Sequence, residues 1–179
     1  MDFSKLNLIR LTPEQEIKPF DCGDCDLNDF LFQDAKNYFN ELYAVTYLLE
    51  NKNNTVAFFS VLNDKISFED TKKSKSSWKL FKNTIAGEKS LSSYPAMKIG
   101  RLGVSKEFKM QGIGTYILDY LKILFITNNR TGCRCITVDA YNKSLEFYKK
   151  NEFKYLTYKD EKKDTRLMYF DLNKVIYNQ

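Results

Sequence analysis

The stretch that decides the reading runs from Lys109 to Phe125, KMQGIGTYILDYLKILF. Gly112 and Gly114 stand one residue apart, and Ile113, Ile117, Tyr120, Leu121, Leu124 and Phe125 then recur at helical spacing. A glycine inside a helix costs about 1 kcal/mol relative to alanine. At a helix entrance, glycines instead leave bare the backbone N–H groups that have no intrahelical partner. Together with the positive end of the helix dipole, those groups make a site for a phosphate-bearing ligand. The competing reading is an ordinary helix start whose glycines serve tight packing.

The flanks give this helix its place in a fold. Upstream, YPAMKIGRLGVS (94–105) is a strand whose apolar alternation breaks: Met97 and Ile99 share one parity, Leu102 and Val104 the other. A bulge near Gly100 to Leu102 would restore the faces. Downstream, CRCITVDA (133–140) is a compact buried strand. Strand, glycine turn, helix and strand make a right-handed βαβ unit. Other elements read as antiparallel. Residues 43–51 and 55–64 form a hairpin about the polar turn Asn51–Asn54, and FKYLTYKD pairs with TRLMYFDL. A first strand covers Leu6 to Leu11. CDLNDFLFQDAKNYF (25–39) is a helix that Asp26 can cap, with Leu27, Phe30, Leu31, Ala35 and Tyr38 on its stripe. NKSLEFYKKN is a short helix. Residues 64–94 are rich in serine and lysine around one apolar island, WKLFKNTI, that could be a short helix, and the stretch is expected to be an insertion or mobile loop. The predicted class is a single α/β domain over 1–179, with a mixed, mostly antiparallel sheet, a central βαβ unit and flanking helices.

Composition narrows the chemistry. The 179 residues suit one domain with a full core, and no apolar run of about 18 residues suggests a membrane span. The charged start, MDFSKLNLIRLTPEQE, lacks the apolar block of a secretory leader, so a cytoplasmic protein is expected. A net charge of +5 suits a polyanionic ligand such as a nucleotide cofactor or RNA, although ordinary proteins share it. Histidine is absent and the four cysteines fall as Cys22-x-x-Cys25 and Cys133-x-Cys135, so reduced structural thiols are expected rather than a zinc site.

With these residues in view, IGRLGVSKEFKMQGIGTYILDYL and CITVDAYNKSLEFYKKNEF resemble the GNAT superfamily of acyl-CoA-dependent N-acyltransferases. The family's pyrophosphate loop, Gln/Arg-x-x-Gly-x-Gly/Ala, is matched by Lys109-Met110-Gln111-Gly112-Ile113-Gly114. Lysine keeps a cation there but lacks arginine's planar fork. A second signature is matched by Asn142, Phe147-Tyr148 and Glu152-Phe153, where Glu152 stands for the usual glycine and Asn151 is expected to take the left-handed turn. A dinucleotide-binding fold would want a longer glycine fingerprint early in the chain and an acidic residue after it, which are missing.

The resemblance implies acetyl-CoA as co-substrate, with its pyrophosphate on the N–H groups of Met110 to Thr115. The backbone of Leu102, Gly103 and Val104 would receive the pantetheine arm, as would Asn142, which is also a good helix cap by type. The amide of Leu102 or Gly103 would polarise the thioester carbonyl. Tyr148 stands where family members place a general acid for the leaving thiolate; the bland reading makes it a core aromatic beside Leu145. Tyrosine at pKa near 10 against a thiol near 8.5 makes complete transfer uphill by about 2 kcal/mol, so hydrogen bonding is the safer role. Glu41, Glu69 and Glu107 are open candidates for a base. The expected activity is acetyl transfer to a primary amine by direct attack.

Within the family, FDCGDCDLNDFLFQDA and YPAMKIGRLGV resemble the toxin acetyltransferases that act on the amino group of aminoacyl-tRNA. That branch implies tRNA and an antitoxin as partners, and a homodimer is open. Lys72, Lys73, Lys75, Lys79 and Lys82, with Trp78 and Phe81 interleaved, could meet an RNA backbone; a solvated lysine-rich loop is the plainer account. A non-catalytic acyl-CoA-binding interaction module is the rival from another class.

Overall fold

A hairpin closed by asparagine sets the first strands. In the computed structural model, which describes residues 3–85, 90–127 and 131–177, the Asn51 side chain accepts from the N–H groups of Asn53 and Asn54 at 2.9 and 2.8 Å. This turn joins β2 (Val45–Glu50) to β3 (Thr55–Ser67), antiparallel, with Leu48 opposite Phe58. β1 (Asn7–Arg10) pairs antiparallel with the other edge of β2. The chain divides into two compact units, Met1–Leu62 with Ile99–Asp119 and Asn63–Lys98 with Tyr120–Gln179.

The first unit carries the strand order β1-β2-β3-β4, where β4 is Ser93–Val104. Its helical arm runs through α1 (Cys25–Asp29), a π-helical turn (Phe30–Asp34) and α2 (Ala35–Asn40). Leu11, Phe30, Leu31, Ala35, Leu48 and Phe58 form its core, with Leu27 packed against it. The expected stripe holds, though Tyr38 stays partly exposed with its ring edge-on to Phe30. The cap does not: Asp24, not Asp26, accepts from the N–H of Leu27 at 3.3 Å, and Asp26 lies in the first turn. Asp24 alone has the extended backbone that turns a carboxylate back onto the helix.

The two glycines of β4 answer to crowding. A Cβ on Gly103 would lie 2.7 Å from a ring carbon of Phe58, and one on Gly100 2.9 Å from the Leu62 side chain. The bulge expected near Gly100 to Leu102 leaves no mark in burial, because Gly103 and Ser105 are buried at the same parity as Met97 and Ile99. Met97 and Ile99 are buried, while Leu102 and Val104 are only half-buried.

The second unit carries the order β3-β4-β5-β7-β6, with β5 Cys135–Tyr141, β6 Lys154–Tyr155 and β7 Thr165–Asp171. β7 is antiparallel to both neighbours. Along β4 and β5 the partners climb together. Arg134 N–H donates to the Pro95 carbonyl, the Thr137 hydroxyl to the Met97 carbonyl, and Lys98 pairs with Asp139. These strands are therefore parallel, joined through α4 (Ile113–Leu124), which completes the expected βαβ unit. The sheet is mixed and mostly antiparallel with flanking helices, as expected.

Much of 64–94 is regular structure. β3 continues to Ser67, Glu69–Thr71 form a 3₁₀ turn, and α3 (Lys75–Thr84) follows, capped by Ser74 on the N–H of Ser77. Ser77, Phe81 and Ile85 are buried at helical spacing, in a core with Ile66, Tyr94, Ala96, Cys135, Leu156 and Tyr169. Residues 86–89 of that stretch lie outside the described residues. The chain closes with α5 (Leu145–Lys150), after a 3₁₀ turn at Asn142–Ser144, and α6 (Asn173–Tyr177). No helix among the described residues is long and apolar enough to cross a membrane.

Candidate active site

In the first unit the site is a piece of backbone. After a 3₁₀ turn at Lys106–Phe108, Met110 and Gly112 both take positive φ, +61° and +81°, before α4 begins at Ile113. Nothing lies within 4 Å of where a Cβ on Gly112 would sit, and Met110 is fully exposed. Gly112 is thus required by conformation, and the space in front of the helix entrance is open. The N–H groups of Ile113, Gly114 and Thr115 fall in the first turn, where helix geometry supplies no acceptor. The Gly112 carbonyl accepts from Tyr116 at 3.0 Å, so the helix ladder starts at that glycine.

Two lysines stitch this loop to the segment before α1. Lys109 Nζ donates to the Cys22 carbonyl at 2.8 Å, and Lys106 Nζ lies 2.6 Å from the Asp21 carboxylate. Lys106, with Asn28 and the Gly23 N–H, holds the Asp21 carboxyl well below the usual range. A cavity of about 180 Å³ is lined here by Phe20, Asp21, Asn54, Ser105, Lys106 and Glu107. Sequence reasoning missed Asp21; the Asp-x-Gly spacing at Asp21–Gly23, which lets a carboxylate accept from a nearby N–H, was its available signal. Gln111 donates to the Glu107 carbonyl at 3.4 Å. Leu102 and Val104 border the buried Gly103 at the end of β4, and Ser105 N–H continues the pairing to the Val56 carbonyl.

In the second unit Tyr148 is 6% exposed on α5. Its ring is edge-on to Phe147 at 5.0 Å and to Phe153 at 5.3 Å. Burial pushes its hydroxyl well above the usual tyrosine range. Asn142 departs from its expected cap role: its amide donates to the Lys163 carbonyl at 3.1 Å, and no side chain caps α5. The left-handed turn after α5 falls on Glu152 at φ +68°, not on Asn151, so the missing glycine's conformation is kept by glutamate.

Phe81 is a core residue and Trp78 packs half-buried against that core: they stack at 5.4 Å, and both meet Tyr94 edge-on. Lys72, Lys73, Lys75 and Lys79 are exposed, whereas Lys82 is half-buried, lies over the Trp78 ring and donates to Ser90. Glu41, Glu69 and Glu107 are exposed. All four cysteines are free, and among the described residues no group of three or more acidic, histidine or cysteine side chains is placed to hold a metal.

The model of the acetyltransferase (GNAT) domain family matches residues 33–174. No curated protein sequence matches the chain. Solved structures share the fold over nearly its full length. One is a bacterial toxin, with a TM-score of 0.78, 13% identity, and coverage of 97% of this chain and 94% of that one. A tyrosine-to-phenylalanine mutant of KacT follows at 0.75 and 18%, covering 98% and 99%. AtaT complexed with acetyl-methionyl-tRNAfMet stands at 0.76 and 19%, covering 97% and 98%.

Proposed function

The chain belongs to the GNAT acetyltransferase family, and from that premise we propose that it moves an acetyl group from acetyl-CoA to a primary amine by direct attack. The family match spans both units, so 1–179 is read as one catalytic domain that includes the 64–94 segment, and the protein as cytoplasmic. The observation that carries the reading is the helix entrance at Gly112, open in front and built on two left-handed residues.

The N–H groups of Met110 to Thr115 would hold the pyrophosphate, with the Lys109 ammonium close by on the same loop. Open space beyond Gly112 fits such a group. The backbone of Leu102, Gly103 and Val104 would take the pantetheine arm, and the amide of Leu102 or Gly103 would polarise the thioester carbonyl. Asn142, whose amide nitrogen is committed to Lys163, has its oxygen to offer the arm. Acetyl-CoA supplies the activated acyl group; the amine must arrive neutral. As the carbon–sulfur bond breaks, Tyr148 donates a hydrogen bond to the departing sulfur. Burial makes it a weaker acid than free tyrosine, so donation without complete transfer is its role. Deprotonation of the amine falls to water or to one of the exposed glutamates.

A second reading places the acceptor amine on an aminoacyl-tRNA, in a toxin whose partner is an antitoxin. The likeness to AtaT in its acetyl-methionyl-tRNAfMet complex supports it through the fold. Gly112→Asp tests the site. It forces a side chain onto φ +81° and sets a carboxylate against the phosphates, weakening acetyl-CoA binding by about 1 to 3 kcal/mol. Calorimetry that finds equal affinity in variant and parent rejects the assignment.

A further inference from the structure

Two lysine-bearing segments, far apart in sequence, are fastened together in the second unit by one buried threonine. The Thr157 hydroxyl donates to the Thr71 carbonyl at 3.2 Å, and accepts from the Ser77 hydroxyl at 3.1 Å and the Lys159 N–H at 3.2 Å. Thr157 is 1% exposed. Lys72, Lys73 and Lys75 follow Thr71 in the chain and Lys159, Lys162 and Lys163 follow Thr157, all exposed. Tyr158, next to Thr157, is 69% exposed.

Both segments are held. Asp160 accepts from Arg166 at 3.2 Å and from the Leu167 N–H at 2.9 Å, and Arg166 also donates to the Thr157 carbonyl. Lys72 and Lys73 are consecutive residues with positive φ, +56° and +54°, kept so by the turn into α3. The Asp70 carboxylate is consumed by the Ser67 N–H and hydroxyl, both at 2.7 Å. Six lysines thus face three exposed carboxylates, Glu69, Glu161 and Asp164. Exposed cations with an exposed aromatic ring among them form the combination that binds unpaired nucleic acid, cations on phosphates and ring on a base.

We propose that the surface formed by Lys72, Lys73, Lys75, Lys159, Lys162 and Lys163 around Tyr158 binds single-stranded RNA. The inference rests on the reading in which the acceptor amine is carried by an RNA, and it assigns that RNA a docking surface. Fluorescence anisotropy of the full chain with a labelled oligouridine, over a salt series, tests it. The parent binds, and Lys162→Ala with Lys163→Ala lowers the slope of log affinity against log salt by about 1.4, at about 0.7 per phosphate contact. Tyr158→Ala weakens binding about tenfold with the slope unchanged. Thermal melts of these surface variants should match the parent. A parent that does not bind, a slope unmoved in the lysine variant, or a preference for duplex DNA or an acidic peptide over the oligouridine overturns the proposal. Acetyl-CoA calorimetry on the same samples separates the failures: loss of RNA binding with acetyl-CoA affinity intact sinks this surface alone, and absent acetyl-CoA binding sinks the acetyltransferase site.

Discussion

Tyr148→Phe should lower activity and leave stability nearly unchanged. The ring that packs between Phe147 and Phe153 is kept, and only the hydroxyl is lost. With the packing intact, the melting temperature should stay within about 3 °C of the parent's. In the reaction the hydroxyl meets charge that develops only as the thioester breaks, so its loss falls on kcat rather than on acetyl-CoA affinity. A loss of about 100-fold, or about 2.7 kcal/mol, is expected. Thiol release from acetyl-CoA with an accepted amine gives kcat, and calorimetry gives the affinity. The pH profile adds a check. Burial raises the Tyr148 hydroxyl, so it stays protonated through neutral and mildly alkaline pH, and kcat should show no descending limb from it there. Full kcat in the folded variant, a melting temperature lower by several degrees, or an alkaline limb that vanishes with the hydroxyl would each refute the role.

Two further substitutions test the backbone reading. Gly103→Ala puts a methyl 2.7 Å from Phe58, which is fully buried and hemmed by Phe20 and Phe30, so stability should fall by about 1 to 3 kcal/mol; a parent-like urea midpoint would show that the ring yields. Glu152→Gly should raise the melting temperature by about 2 to 4 °C, because glycine takes φ +68° without the left-handed penalty and the exposed ion pair to Lys174 at 3.6 Å contributes little. A lower melting temperature would mean that the side chain itself is needed.

The α4 stripe, the asparagine hairpin and the βαβ unit were legible because period and turn chemistry are local signals. What escaped depended on partners. Asp24 and Asp26 are alike as caps in sequence, and only the extended backbone at Asp24 separates them. The WKLFKNTI island was legible as a short helix, but lysines and serines hid the face it buries, Ser77, Phe81 and Ile85. The same lysines suggested an aromatic-basic surface, but Phe81 proved to be core and Trp78 to pack half-buried against it. The glycine loop was legible as a helix entrance, but the tie from Lys109 to the Cys22 carbonyl spans 87 positions and has no sequence signature. At Glu152 the signature residue was absent while the turn persisted, since a required conformation can outlast the residue that best supplies it.

The thiols have a bearing on chemical fidelity. A protein that handles a thioester risks passing the acyl group to its own cysteines, a side reaction that needs thiolate. Burial pushes the Cys133 thiol up to about 11 and the Cys135 thiol higher still, and it raises Cys22 as well. At pH 7.5 a thiol with pKa 11 is about 0.03% ionised, against about 10% for an unperturbed one. Self-acylation at these three positions is suppressed by protonation before access is even considered. Cys25, exposed at the start of α1, is where adventitious acyl exchange would be found.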